Sequence, residues 1–94
     1  MNLDQRIAIV TGAGSGIGAA TAEALAAAGA SVVVTDISEK AAEQTANVIA
    51  QRGQSATALV QDVTSPEQWE QVFEAANATF GAPNALVNNA GVSG

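Results

Sequence analysis

The feature that most constrains the fold of this chain is a short apolar run followed by four closely spaced glycines, Ile-Ala-Ile-Val-Thr-Gly-Ala-Gly-Ser-Gly-Ile-Gly at positions 7–18. The β-branched residues of 7–10 predict a strand that is buried on both faces. Glycines let the main chain turn sharply and approach an anion without a Cβ in the way. The alanine-rich helix that follows favours negative charge at its first N–H groups. Strand, glycine turn and helix in this order therefore predict a dinucleotide phosphate site.

The rest of the chain continues to alternate strands with helices. Helices are predicted over about 15–28, 38–52 and from Ser65 to about 80, and strands over about 6–11, 31–35, 55–61 and 85–87. Ser38 and Ser65 are expected to cap the second and third helices, with Pro66 in the first turn of the third. The aromatic residues Trp69, Phe73 and Phe80 recur at helical spacing, which is typical of a core or interface face. The face of the first helix expected to be buried consists of Ile17, Ala20, Thr21, Ala24, Leu25 and Ala28.

This pattern predicts an α/β fold, a Rossmann-type doubly wound parallel sheet with helices on both faces. The four strands give the order 3-2-1-4, with strand three at an edge, and the sheet is only partial. The carboxyl ends of strands one and four then lie together, where the winding direction reverses. The glycine turn, Asp36, Asp62 and the segment 88–91 all fall on that one rim, so we interpret residues 1–94 as a single dinucleotide-binding half-domain.

Composition removes several classes of function. The 94 residues carry a net charge of −6 and contain neither cysteine nor histidine, so thiolate and imidazole metal ligands are absent and no metal site is expected. The three basic residues do not form a surface for a nucleic-acid backbone. No apolar run has the ~20 residues of a membrane span, and the N-terminus lacks a signal-peptide core, so a cytoplasmic location is expected.

Asp36 predicts the choice of cofactor through its charge. A carboxylate at the end of strand two can accept both hydroxyls of an adenosine ribose, whereas a 2′-phosphate would meet like charge. Neither Ser15 nor Ile37 offers the cation that NADP requires. We therefore expect NAD to be preferred over NADP by about tenfold or more. The competing interpretation is that Asp36 only caps the second helix.

The motifs together resemble the short-chain dehydrogenase/reductase family over nearly the whole chain. The resemblance is carried by 11–18, which read Thr-Gly-Ala-Gly-Ser-Gly-Ile-Gly, by Asp62-Val63 and by 88–91, which read Asn-Asn-Ala-Gly. It implies that the glycines form the pyrophosphate turn, that Asp62 binds the adenine edge, and that Asn88 steadies the sheet. The candidate cofactor-binding residues are Gly12, Ser15, Gly16, Ile17, Gly18, Asp36, Ile37, Asp62, Val63, Asn89, Ala90 and Gly91.

Some of these roles have structural alternatives. Asp62 can equally cap the turn before Pro66, and asparagines such as Asn88 and Asn89 often fill strand-end turns for their own backbone hydrogen bonds. The glutamates of the third helix, Glu67, Glu70 and Glu74, read as a solvated face rather than an acid/base pair.

The resemblance implies hydride transfer between a nicotinamide and an alcohol or carbonyl substrate, with a tyrosine and a lysine as the catalytic pair. This sequence contains no tyrosine, and Lys40 is its only lysine. We therefore expect the NAD-binding half without the catalytic half and no catalytic residue in this chain. The alternatives are a non-catalytic dinucleotide-binding module and an inert truncated product. The open apolar edge of strand four predicts self-association or a partner that completes the sheet.

Overall fold

The structure, a computed structural model, describes residues 2–90, and within that range strands and helices alternate without exception. The elements are β1 (Ile7–Thr11), α1 (Gly16–Ala27), β2 (Ser31–Asp36), α2 (Glu39–Gln51), β3 (Ala56–Val60), α3 (Pro66–Thr79) and β4 (Ala85–Asn88). Each predicted element is present, and the ends differ from the predictions by at most one residue.

The four strands form one parallel sheet in the order β3-β2-β1-β4. Thr11 at the end of β1 is in register with Asn88 at the end of β4, and Asp36 at the end of β2 with Val60 at the end of β3. The predicted Rossmann-type fold and its strand order are thus confirmed. All four carboxyl ends lie along one rim of the sheet.

The sheet is covered by helices on both faces, but unequally. On one face, α1 and α2 pack against β1 and β2 to form the larger cluster, in which Val10, Val34 and Ile49 are fully buried. On the other face, Val72 and Ala76 of α3 pack against Ile9 and Val33, with Leu59 and Phe80 partly buried beside them. Successive strand residues point to opposite faces, so the continuous apolar runs of β1 and β2 supply both clusters.

The buried face of α1 differs from the predicted one. Gly18, Ala22 and Ala26 are the buried residues of this helix, whereas Ile17 is 78% exposed. The prediction was wrong for Ile17, Ala20 and Ala24, which are exposed, because alanines give little contrast between faces, whereas Leu25 does pack against the larger cluster. In an alanine-rich helix the residue with the smallest side chain, Gly18, instead faces the closest part of the backbone.

The helix ends follow the predicted capping chemistry. The Ser38 hydroxyl accepts a hydrogen bond from the Ala41 amide, and the Ser65 hydroxyl accepts one from the Gln68 amide. Each accepts from one of the unpaired N–H groups of a first helical turn. No helix in residues 2–90 has the length and hydropathy needed to cross a membrane.

Candidate functional site

A pocket of about 190 Å³ opens at the carboxyl ends of the strands. It lies on the rim where the sequence predicted the site, since its lining comes from the segments that follow all four strands. The lining residues are Gly12 after β1, Asp36 and Ile37 at the end of β2, Gln61, Asp62 and Val63 after β3, and Ala90 after β4. Six of these seven belong to the predicted set, and Gln61 does not.

The glycine turn has little room for side chains. Gly12 has a φ of +60°, and a Cβ atom added to it would lie 3.0 Å from the backbone of Ala90. A Cβ on Gly18 would overlap the Gly12 carbonyl oxygen and lie 2.7 Å from the side-chain nitrogen Nδ2 of Asn89. The turn, the start of α1 and the end of β4 therefore pack directly against one another through backbone atoms.

Asp36 joins the glycine turn to the start of α2. Its Oδ2 accepts a hydrogen bond of 2.9 Å from the Gly14 amide, and its Oδ1 accepts one of 3.0 Å from the Ser38 amide. Asp36 thus bonds to Ser38, but the cap of α2 is the Ser38 hydroxyl, so the interpretation that Asp36 itself caps this helix is wrong. An ionised carboxylate offers about four acceptor positions, so two remain for hydroxyl donors from the pocket.

Asp62 also organises its own loop. Its Oδ1 accepts hydrogen bonds from the Thr64 hydroxyl at 2.7 Å and the Thr64 amide at 2.9 Å. The hydroxyl bond, followed by the amide bond, holds the pKa of the Asp62 carboxyl below its ordinary value of 3.8, although desolvation acts in the opposite direction. The carboxylate is therefore ionised at neutral pH and faces a pocket whose other acid is Asp36.

The end of β4 is tied to β1 through one hydroxyl. Thr11 Oγ1 donates to Asn88 Oδ1 at 2.9 Å and accepts from the Ala90 amide at 3.1 Å. The Asn89 side-chain amide donates to the Gly12 carbonyl at 3.2 Å. Asn88 and Asn89 thus bond to β1 and the glycine turn and not to the backbone of their own turn, and Thr11 belongs to the glycine motif but was not among the candidate residues. Gly91 lies outside the described residues.

The predicted residues at the start of α1 stand apart from the pocket lining. Ser15 is the N-cap residue but its side chain makes no capping hydrogen bond, unlike Ser38 and Ser65. Ser15, Gly16 and Ile17 are all exposed. The amide groups in the first turn of α1 are therefore not capped by the Ser15 hydroxyl.

Gln61 lines the pocket but belongs to none of the motifs identified in the sequence. Its side chain is 2% exposed, although a glutamine between a strand end and an aspartate is typical of a solvated loop. One signal was available. Gln61 is two residues beyond Leu59, and alternation along an extended segment places both on the α3 face.

The chain is similar to known dehydrogenases and reductases over nearly all of its length. It is 44% identical over 93 residues to the 3-oxoacyl-[acyl-carrier-protein] reductase FabG of Escherichia coli, covering 99% of this chain and 37% of that protein. It is 43% identical over 91 residues to the cyclohexanol dehydrogenase of an Acinetobacter species, covering 97% and 36%. The crystal structure of a hydroxysteroid dehydrogenase from Escherichia coli superposes with a TM-score of 0.90 at 42% identity, covering 93% of this chain and 37% of that one.

The chain thus spans little more than a third of the length of these relatives. Residues 6–94 match the family model described as short chain dehydrogenase, which is nearly the entire sequence. The fold, the strand order and the glycine turn agree with that match. The chain belongs to the short-chain dehydrogenase family.

Proposed function

We propose that this chain is the NAD-binding part of an oxidoreductase that transfers hydride between a nicotinamide and an alcohol or carbonyl group. Family membership supports the reaction class, because the relatives it resembles are named as reductases and dehydrogenases. The pocket supports the ligand class, because it joins a glycine turn to two carboxylates at the carboxyl ends of a doubly wound sheet.

One observation carries the proposal: the bridge from the Gly14 amide to Asp36 Oδ2 at 2.9 Å. This hydrogen bond holds the Asp36 carboxylate against the glycine turn, the segment that would contact a pyrophosphate. The two remaining acceptor positions of Asp36 suit the 2′- and 3′-hydroxyls of an adenosine ribose. A single ligand can therefore meet the turn and the acid together.

Selectivity for NAD over NADP follows from charge. Asp36 and Asp62 are the only charged residues among those lining the described pocket, and both are acids. A 2′-phosphate would approach Asp36 without a basic residue of the lining to balance it. Hydrogen bonds to charged groups contribute roughly 1.5–3 kcal/mol, so NADP should bind about tenfold or more weakly.

The remaining candidate residues would contact other parts of the same ligand. The amides of Ser15, Gly16 and Ile17 would face the pyrophosphate, and the apolar side chains of Ile37 and Val63 would border the adenine. Ile17 and Ile37 are 78% and 74% exposed, the highest values among the large apolar residues described. Asp62 would accept a hydrogen bond from the adenine amino group. Residues 89–91 would border the nicotinamide-side ribose.

No residue of this chain is assigned to catalysis. The sequence has no tyrosine, and its single lysine, Lys40, is an exposed residue in the first turn of α2. We propose that residues 1–94 form one NAD-binding half-domain, inactive in hydride transfer by itself. A non-catalytic dinucleotide-binding module is the alternative, and the same pocket would serve it.

Titration with NADH tests the proposal, and Trp69 is the reporter. Its indole N–H donates to the carbonyl of Val63, a pocket residue, at 2.8 Å. We expect energy transfer from Trp69 to bound NADH. The dissociation constant of NADPH should be higher than that of NADH by about tenfold or more. Asp36→Ala should weaken NADH binding by at least about tenfold, because it removes a charged acceptor.

Two results would refute this assignment. Absence of saturable energy transfer at millimolar NADH would remove the NAD-binding function. Unchanged NADH affinity in Asp36→Ala, with the fold intact by circular dichroism, would remove the role of Asp36. The variant Glu74→Ala, on the exposed surface of α3 and away from the pocket lining, is the control for a general effect of losing a carboxylate.

A further inference from the structure

Gly14 belongs to the glycine turn but was not among the candidate cofactor-binding residues. Its backbone lies outside the left-handed region, unlike the backbones of Gly12 and Gly16. Its own conformation therefore does not require glycine, and the requirement comes from its neighbours. A Cβ added to Gly14 would lie 2.5 Å from the Cβ of Ala41 and 2.8 Å from Asp36 Oδ2. Only a residue without a side chain fits between this carboxylate and the first turn of α2.

The two neighbours of Gly14 differ in how freely they can move. Ala41 belongs to the capped first turn of α2, where its amide donates to the Ser38 hydroxyl at 3.2 Å. The next residue, Ala42, is fully buried in the larger cluster. The Asp36 carboxylate, in contrast, is the end of a rotatable side chain. A methyl group at position 14 would therefore displace the carboxylate once its contact with Ala41 is relieved.

We propose that Gly14 is a positioning residue that sets the orientation of the Asp36 carboxylate toward the adenosine ribose, an assignment that rests on the NAD-binding function proposed above. The Gly14 amide donates to Oδ2 at 2.9 Å, and the missing side chain lets the carboxylate lie directly against the turn. Hydrogen bonds weaken steeply as they bend. A turned carboxylate would therefore bind two ribose hydroxyls less well, whereas a 2′-phosphate, which meets like charge at Asp36, has no such bonds to lose.

Titration with NADH and NADPH, followed by energy transfer from Trp69, gives the ratio of the two dissociation constants for the 94-residue chain and its variants. The main variant combines Gly14→Ala with Ala41→Gly. The second substitution removes the 2.5 Å overlap with the Ala41 Cβ and leaves the 2.8 Å overlap with Asp36 Oδ2 as the shortest. Ala41→Gly alone is the reference, because any effect of a glycine in α2 then appears in both chains.

Gly18→Ala is the matched control within the same turn. The backbone of Gly18 also lies outside the left-handed region, but an added Cβ would meet the Gly12 carbonyl and the Asn89 side chain instead of Asp36. This variant should weaken NADH and NADPH binding by the same factor, because both ligands carry the same pyrophosphate. Crowding of the turn in general would leave the ratio unchanged, whereas displacement of Asp36 would change it.

We expect the Gly14→Ala/Ala41→Gly chain to bind NADH about tenfold more weakly than the Ala41→Gly chain and to bind NADPH with little change. The preference for NADH should therefore fall by about tenfold. This effect acts through the carboxylate, so it requires Asp36. Adding Gly14→Ala to a chain that already carries Asp36→Ala and Ala41→Gly should leave the ratio unchanged.

The outcomes separate the two proposals. If the parent chain binds NADH and the Gly14→Ala/Ala41→Gly chain keeps the ratio of its reference, Gly14 does not position Asp36 and the NAD-binding function stands. An equal fall of the ratio in the Asp36→Ala background would also overturn the inference, because the effect would not pass through the carboxylate. If the parent chain does not bind NADH, the proposed function fails and the role of Gly14 with it.

Discussion

At the scale of single residues, side chains of the site are held mainly by the backbone. Asp36 and Asn89 bond to main-chain groups of the glycine turn, and Asp62 bonds to the Thr64 amide of its own loop. Such bonds fix the position of a side chain while leaving acceptor positions free. A substitution in these loops therefore acts on the fold and on the pocket together, and the two effects have to be measured separately.

Gly18→Ala tests the contact between α1 and the glycine turn. Helix propensity alone predicts a gain of about 1 kcal/mol in the free energy of unfolding. The overlap with the Gly12 carbonyl predicts the opposite, a loss of about 1–3 kcal/mol. We expect the loss in urea unfolding, together with weaker NADH binding, because the added methyl group displaces the turn.

Gly53→Ala is the comparison for that variant. Gly53 has a φ of +75° and nothing within 4 Å of an added Cβ. Its replacement should cost about 1–2 kcal/mol through backbone strain alone and leave NADH affinity unchanged. A Gly18→Ala chain that is as stable as the parent would show that α1 can move away from the sheet without cost.

Asp62 gives a prediction about pH. The Thr64 hydroxyl and then the Thr64 amide lower the pKa of the folded carboxyl below 3.8. A lowered pKa in the folded state contributes stability above the unfolded pKa, and this contribution is lost as the pH falls through the folded value. Thr64→Val removes the hydroxyl donor, so the pKa of Asp62 should rise and acid unfolding should begin at higher pH.

Carbon-detected NMR titration of the Asp62 carboxyl measures this pKa directly. Thr64→Ser keeps the hydroxyl and should titrate like the parent. Equal titration midpoints in the valine and parent chains would mean that the Thr64 hydroxyl does not control the charge of Asp62.

At the scale of elements, the three helices differ in how they begin. Ser38 and Ser65 accept hydrogen bonds from the first turns of α2 and α3, whereas Ser15 makes none at α1. Ser38→Ala and Ser65→Ala should each lower the free energy of unfolding by about 1 kcal/mol. Ser15→Ala should change it by much less.

Chemical denaturation of the three variants under one condition checks this order. A cost for Ser15→Ala equal to the other two would contradict the view that the start of α1 is left uncapped by its own side chain. The comparison also bears on the proposed pyrophosphate site, because an anion favours amide groups that no hydroxyl covers.

The elements also show how far the sequence can predict this fold. The strands and caps were predictable because β-branched runs, Ser-Pro and helix-ending glycines act locally. The buried face of α1 was not, because alanines give little contrast between faces and the packing of Gly18 depends on the distant Gly12 and Asn89. The burial of Gln61 was missed because it stands between the end of a strand and an aspartate, a position typical of a solvated loop.

At the scale of the whole molecule, the two faces of the sheet are unequally protected. Among residues 2–90, the cluster under α1 and α2 contains ten buried residues, whereas the cluster under α3 contains four. Phe73 of α3 and Leu86 of β4 remain 42% and 51% exposed. In the described range β4 is the last strand of the sheet, and its outer edge has no partner strand.

An unpaired edge and exposed apolar side chains on one side favour association. We therefore predict that the chain forms dimers or larger species at micromolar concentration and that Leu86→Lys shifts it toward monomer, because a charge on an edge strand opposes strand pairing. Val48→Lys is the control, since Val48 is 37% exposed but lies on α2, on the better covered face. Sedimentation velocity across a concentration series measures the shift. A parent chain that stays monomeric, or two lysine variants that behave alike, would show that the β4 edge does not drive association.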